Sequence, residues 1–189
     1  NPRIEHSEAL ADMSLDHHLF VIDRDTKKLY EIYQASFLNG IWSGAGGAVF
    51  DLVGNGLRAP PPQWHPDKQG YTSADAAGLP ILPGLIRFDE VVAGNIPHAL
   101  RFTLAPGAVA NAYVYPGTHY TTTGKNSLNY PPMAARFRLK ASVDISGYGP
   151  HMQTILKALK KYGMFLADNG MGWAIHIWTR PCFKSRECG

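Results

Sequence analysis

The chain has 189 residues, 45% of them hydrophobic and 17% charged, with a formal net charge of +3. That length and apolar content support one core and predict a single domain over 1–189. The weak charge, scattered except at Lys157, Lys160 and Lys161, argues against a nucleic-acid surface. No run of about 18 apolar residues is present, which argues against a membrane-spanning helix. Asn1 to Ser7 lack the basic start and apolar run of a signal peptide, so the chain is read as cytosolic or already processed.

In chain order, His18 to Phe37 alternates apolar and polar residues around the polar break Arg24-Asp25-Thr26-Lys27, which predicts a β-hairpin. Leu19 and Val21 then share one face, and Phe20 and Ile22 the other. Ala48 to Val53 reads as a short strand between glycine-rich turns. Arg58 to Tyr71 holds three consecutive prolines and the pair Trp64-His65, and is expected to be a surface loop with polyproline character. Thr72 to Leu85, TSADAAGLPILPGL, is apolar yet broken by Gly78, Pro80, Pro83 and Gly84, so neither helix nor strand can run through it.

Leu85 to Asn95 predicts a short helix stopped at Gly94. His98–Leu104, Asn111–Tyr120 and Ala135–Val143 alternate as strands. Pro150 opens and Gly163 closes an amphipathic helix with the stripe Met152, Ile155, Leu156, Leu159 and Tyr162. Met164 to Trp178 suggests a final hairpin around Asp168-Asn169-Gly170. Residues 18–178 form the core region and 179–189 a polar tail, in which Cys182 and Cys188 are either disulfide-bonded or reduced surface thiols. The sum is a mainly β fold: an antiparallel β-sandwich, jelly-roll-like, or a partly closed barrel, with one amphipathic and one short helix.

No nucleotide-binding loop, nucleophile elbow, zincin or CxxC motif is present. Chemistry must therefore come from residues distant in sequence. His18, His98 and His119 lie at strand margins and, with Asp75, are candidates for one pocket that binds a divalent metal or supplies a base. The alternative is that each histidine caps a strand separately. His17 and His18 point to opposite sides of their strand, so at most one joins such a cluster. No cofactor is required by this reading; a divalent metal is the option the histidines leave open.

Glycoside cleavage needs two carboxyl groups, one protonated and one ionised. Asp75, Asp89, Glu90 and Asp168 are the candidates. Asp75, flanked by Ala74, Ala76 and Ala77, would have its pKa raised by burial; it could equally form an Asx-type turn with nearby N–H groups. Glu90 could pair with Arg87. Loop aromatics, among them Trp42, Trp64, Tyr71, Tyr113, Tyr115, Tyr120 and Tyr130, beside Thr121–Thr123, Asn126 and Asn129, suit sugar stacking and hydroxyl recognition, although Tyr113 and Tyr115 are also ordinary strand residues.

The stretches HLFVIDRDTKKLYEIY, TSADAAGLPILPGLIRFDEV, IPHALRFT and PPMAARFRLKASVDISGYGPHMQTILKALKKYGMFLADNG together resemble a family of secreted microbial proteins of uncharacterised function, over about His18 to Gly170. The resemblance implies secretion and one continuous domain, and implies no mechanism. The tail WAIHIWTRPCFKSRECG departs from the polar, Asp-containing continuation usual in that family.

The function expected is that of a secreted glycan-active enzyme, a glycoside hydrolase or other polysaccharide-cleaving protein. Asp75 and Glu90 are the expected acid and base. His98 and His119 are expected to orient groups or bind metal, and Trp64, Tyr71, Arg87 and Tyr120 to bind a carbohydrate polymer or oligosaccharide. The alternatives are a lectin-like carbohydrate-binding domain and a metal-dependent extracellular protein.

Overall fold

The structure, a computed structural model, describes residues 4, 15–58 and 73–178. Strand β1 (Leu19–Asp23) pairs antiparallel with β2 (Lys28–Tyr33), Leu19 opposite Ile32 and Asp23 opposite Lys28. The expected first hairpin is therefore present. Its turn is held by Asp23, whose carboxylate accepts the N–H groups of Asp25 and Thr26 and the Thr26 hydroxyl, an Asx turn. β3 (Ser36–Leu38) and β4 (Ile41–Ser43) form a small hairpin. Asn39 and Gly40 at its tip have φ of 52° and 80°, the backbone that an Asn-Gly turn supplies. β5 (Gly46–Asp51) completes a three-stranded sheet on the free side of β2.

The chain next enters the 73–85 segment, which is buried along most of its length. It leads through a 3-10 turn, Leu82–Gly84, into β6 (Ile86–Arg87) and helix α1 (Phe88–Val92). β7 (Leu100–Leu104) is buried at every position, as befits a strand covered on both faces. After β8 (Arg136–Phe137), helix α2 (Pro150–Lys161) starts at Pro150 as predicted and returns the chain to β9 (Met164–Asn169), which lies parallel to β7. β10 (Ala174–Ile175) pairs with the other side of β7, giving the order β10-β7-β9-β8, and β11 (Ile177–Trp178) pairs with β6.

The fold is mainly β with two helices, and its sheets do not close into a barrel among the described residues. Three predicted elements differ in detail. Asn111–Tyr120 forms no continuous strand and has only isolated bridge residues, Tyr113, which pairs with Met133, and His119, because Pro116 has no N–H to donate and Gly117 turns back to the Val114 carbonyl. Ala135–Val143 is strand only at Arg136–Phe137; Leu139 then donates to Leu159 in α2. Met164–Trp178 is not a hairpin, since β9 bonds to β7 and β8 while β10 lies across β7. A helix crossover can place two strands side by side in parallel, which no tight turn can do.

The largest apolar cluster joins Phe102 and Leu104 of β7 and Leu166 of β9 to Ala76, Ala77, Leu79, Val109 and Met133. A second seats Ala158 and Leu159 of α2 on Ile86, Ile96 and Leu100. A third holds Ala74, Ile81 and Leu85 against Phe20 and Tyr33, so the 73–85 segment is a plug between the two main sheets.

Gly163, with φ of 76°, joins α2 to β9, and a Cβ there would lie 2.2 Å from the Phe137 carbonyl oxygen. Gly163→Ala is expected to lower stability by about 2 kcal/mol or more, measured as the urea midpoint; an unchanged midpoint would show that the α2–β9 junction relaxes freely.

Candidate functional site

β7 is a central strand, yet its second residue is an arginine. The Arg101 side chain is 5% exposed and sits among polar groups from three segments. Its Nη2 lies 3.3 Å from Asp75 Oδ2 in the plug and 3.9 Å from Asp168 Oδ2 on β9, and its Nη1 donates to His176 Nδ1 in the link between β10 and β11. Gly84 makes room for it: a Cβ there would meet the Arg101 side chain at 3.2 Å. Arg101 Nε is buried and has no hydrogen-bond partner among the described residues.

Asp75 is held from all sides. Its side chain is fully buried, its Oδ1 accepts the Leu79 N–H at 2.9 Å and lies 3.2 Å from the Ser73 hydroxyl, and its own N–H donates to Ser73 Oγ. The Asx-type turn and the positioned carboxylate, alternatives in the sequence, are thus one arrangement. Glu31 of β2, also wholly buried, accepts the N–H groups of Ile81 and Leu82 at 2.8–2.9 Å and fixes the other end of the plug.

Three carboxyl groups in this region face too little positive charge. Burial pushes the Asp75 carboxyl up from 3.8 to about 6, with Arg101 pulling it down and Glu31 adding to the rise. Asp168 is pushed up to about 7, first by burial and then by the adjoining Asp75, against the pull of Arg101. Asp168 nonetheless keeps 27% of its side-chain surface in solvent, so it alone of the Arg101 carboxylates stands at the rim. Burial also raises the Glu31 carboxyl. One guanidinium cannot neutralise two carboxylates at once, so the Asp75–Asp168 pair retains a proton. His176 is driven the other way, to about 4, by burial, then by Arg101 and His18. It is neutral near pH 7; with Nδ1 accepting from Arg101, its proton is on Nε2.

Aromatic rings border the rim. His18 stacks on Phe20 at 6.0 Å and tilts against Tyr33 at 5.7 Å, and Phe20 meets Trp178 at 5.8 Å. The Tyr33 hydroxyl is raised by burial, then by the charges of Asp16 and Asp168, which puts both carboxyl groups near this ring. Asp16 is 64% exposed and lies 3.8 Å from His18 Nε2. Next to Asp168 along β9, Asn169 donates to the Thr121 and Thr123 hydroxyls at 2.6 and 3.2 Å, and its Oδ1 has no partner among the described residues. Beside Trp178, an open depression of about 160 Å3 is lined by Leu82, Arg87, Phe88, Asp89 and Trp178.

The residues singled out in the sequence are distributed differently from the expectation. Asp75 is buried, the condition under which the sequence reading expected a raised pKa, but with no exposed side-chain surface it cannot touch a substrate. Glu90 shares no partner with it: Glu90 pairs with Arg87 and lies 3.1 Å from His98 Nε2 at the start of α1, a capping role that follows from the acidic first turn. His98 also bonds to the Ala99 carbonyl, and His119, buried, donates Nδ1–H to the Ala76 carbonyl at 2.7 Å. The three histidines proposed as metal ligands, His18, His98 and His119, thus have separate partners, and no group of three or more His, Cys, Asp or Glu among the described residues could hold a metal ion. Tyr120 packs against Tyr113 and His119. Arg87 does line the depression. Trp64, Tyr71, Cys182 and Cys188 lie outside the described residues.

Sequence reasoning missed Arg101, Glu31 and His176 altogether. The one available signal was a charged residue flanked by apolar ones inside a strand, Arg101 in LRFTL and Glu31 in KLYEIY, since such charges are buried only when paired. No helix among the described residues is long and apolar enough to cross a membrane. Comparison of the chain with protein-family models, curated proteins and solved structures matched none of them.

Asp75→Asn is expected to destabilise the fold by about 3 kcal/mol, the lower end for breaking a buried ion pair, because Asp168 still faces Arg101. Chemical denaturation reads this directly, and a loss under about 0.5 kcal/mol, the range of an ordinary surface change, would refute the central role of the pair. From about pH 4 to 7 the folded protein binds protons at Asp75 and Asp168 that the unfolded chain has released, so their contribution to stability is full below pH 4 and is lost as pH rises through 6 and 7. His176 opposes this, because the unfolded chain takes up a proton near 6.5 that the folded site refuses down to about 4. Relative to wild type, Asp168→Asn should therefore gain stability as pH rises from about 5 to about 8. Parallel urea midpoints across that range would contradict the shared proton.

Proposed function

We propose that the protein is an extracellular glycan-active enzyme whose proton donor is Asp168. The observation that carries the reading is a rim carboxyl with its pKa raised to about 7 and part of its surface in solvent, bordered by aromatic rings and by Asn169, Thr121 and Thr123. A carboxylic acid that is still protonated near neutral pH is what cleavage of a glycosidic bond needs as its general acid.

In this reading Asp168 gives its proton to the glycosidic oxygen as the C–O bond breaks. Water adds to the sugar carbon and its proton passes to a second carboxylate, for which Asp16, exposed and near the Tyr33 hydroxyl, is the candidate. His176 Nε2–H, directed by the Arg101 bond to Nδ1, can donate to a sugar hydroxyl. Asp75 and Arg101 are positioning residues: Asp75 keeps Arg101 in place and, by its charge, holds the Asp168 proton. Sugar rings would lie along the Phe20–Trp178 row, with Arg87 in the adjoining depression.

A second reading, a carbohydrate-binding domain without turnover, is favoured by that same depression, whose volume of about 160 Å3 is below the roughly 300–1,000 Å3 of a pocket that encloses a whole ligand. Reducing-end release from a panel of polysaccharides separates the two. Asp168→Asn should lower kcat by about 100-fold or more while leaving glycan affinity within a few-fold. Glycan retention without new reducing ends in the wild-type protein would favour the binding domain, and undiminished kcat in Asp168→Asn would remove Asp168 from the chemistry.

A further inference from the structure

We propose that the surface formed by the C-terminal half of α2 and the adjoining segment 136–143 docks an acidic polysaccharide, an inference that rests on the glycan reading above and adds the charge class of the polymer. From Val91 to Ala167 the sequence contains a single acidic residue, Asp144, while Arg136, Arg138, Lys140, Lys157, Lys160 and Lys161 all fall within this stretch. The rest of the chain carries more acids than bases, so the mild net charge of +3 conceals a local concentration of cations.

The fold brings these cations to one place. The Leu139 N–H donates to the Leu159 carbonyl, and Lys160 Nζ donates to the carbonyls of Ala141 and Val143, so 139–143 runs beside the last turns of α2. Arg136 donates to the Tyr162 carbonyl at the helix end, and Lys161 Nζ lies 5.0 Å from the centre of the Tyr162 ring. Arg136 and Lys160 thus have a structural role, satisfying carbonyls and opposing the helix dipole. Arg138, Lys140 and Lys157 do not, and Lys161 has only its contact with the Tyr162 ring; all four are exposed, and none forms an ion pair among the described residues. Asp144 is no counter-ion for them, since its two oxygens accept the N–H and hydroxyl of Ser146.

Cations three or four residues apart on a helix and two apart on an extended segment are separated by roughly 5–7 Å. That is less than the Debye length of about 8 Å at physiological salt, so they repel one another, and a polyanion relieves the repulsion. The surface is also continuous with the proposed site. The Arg136 guanidinium lies 5.7 Å from the ring centre of Phe165 near the start of β9, and Asp168 is three residues further along the same strand, roughly 10 Å away. Trp173, 61% exposed, stands edge-on to Phe137, between Arg136 and Arg138 in sequence, and gives the border of the cationic surface an aromatic plane. Single-stranded nucleic acid is held by a series of exposed rings on which successive bases stack; of the rings beside these cations, Phe137, Tyr162 and Phe165 are half-buried and Trp173 is exposed, and one exposed plane with several cations suits a sugar chain bearing carboxylates.

The test measures binding of the full chain to immobilised polygalacturonate, with neutral dextran and poly-uridylate RNA as comparisons. Polygalacturonate should retain the protein at low salt and release it as NaCl is raised to about 0.5 M, as expected for screened surface charges. The triple variant Arg138→Gln, Lys140→Gln, Lys157→Gln, all at exposed positions outside the proposed catalytic site, should keep the wild-type melting temperature and bind about tenfold or more weakly, roughly 1.4 kcal/mol. Equal binding by the triple variant overturns the inference, as does no binding to polygalacturonate, equal retention on dextran, or tighter retention on RNA. Two results separate this inference from the reading it rests on. Turnover of a neutral glycan that depends on Asp168, without polygalacturonate binding, sinks the docking surface alone. Cation-dependent polygalacturonate binding with turnover indifferent to Asp168→Asn sinks the catalytic reading and retains the surface.

Discussion

The buried guanidinium of Arg101 is the constraint around which the described structure is arranged. An arginine inside a sheet is tolerated only with partners, and here they come from the plug (Asp75), from β9 (Asp168) and from the link between β10 and β11 (His176). Each of these segments must sit where its polar group reaches the guanidinium. The same contacts explain why β7, rather than an edge strand, organises the larger sheet: it pairs with β9 on one side and β10 on the other, and both neighbours lead directly to an Arg101 partner.

The plug is the second consequence. TSADAAGLPILPGL cannot form a regular element, so its backbone groups need partners from elsewhere. Side chains supply them: Asp75 takes the Leu79 N–H, and Glu31 takes those of Ile81 and Leu82. Two carboxylates buried to satisfy backbone N–H groups leave a local excess of negative charge that Arg101 cannot cancel. The excess appears as a proton held near neutral pH, and Asp168, the rim member of the pair, is where that proton meets solvent. Structural necessity in the plug and the raised pKa of the rim carboxyl therefore have one electrostatic origin.

The two surfaces on which function has been proposed lie toward opposite ends of β9. At one end Asp168 adjoins Asn169, Tyr33 and the aromatic row; at the other, Phe165 lies under Arg136, which also ends α2. The crossover helix that makes β7 and β9 parallel carries the lysines as well, so the topology that creates the buried network also assembles the cationic surface.

The first hairpin, the amphipathic helix from Pro150 and the mainly β character were legible because each depends on neighbours within a few residues: alternation, a proline start, a turn sequence. That burial would raise the Asp75 pKa was legible too, from the alanines beside it. The Asp75–Glu90 pairing, the convergence of His18, His98 and His119, and the final hairpin were not what the structure contains, because which side chains meet depends on a crossover of more than fifty residues between β7 and β9. By itself the sequence determined the local elements and the presence of a carboxylate that burial would perturb. Only the tertiary structure decided that its partner is Arg101 and that Asp168 receives the displaced proton, since Coulomb interactions act through space and a charge in a strand does not name the opposite charge that will reach it.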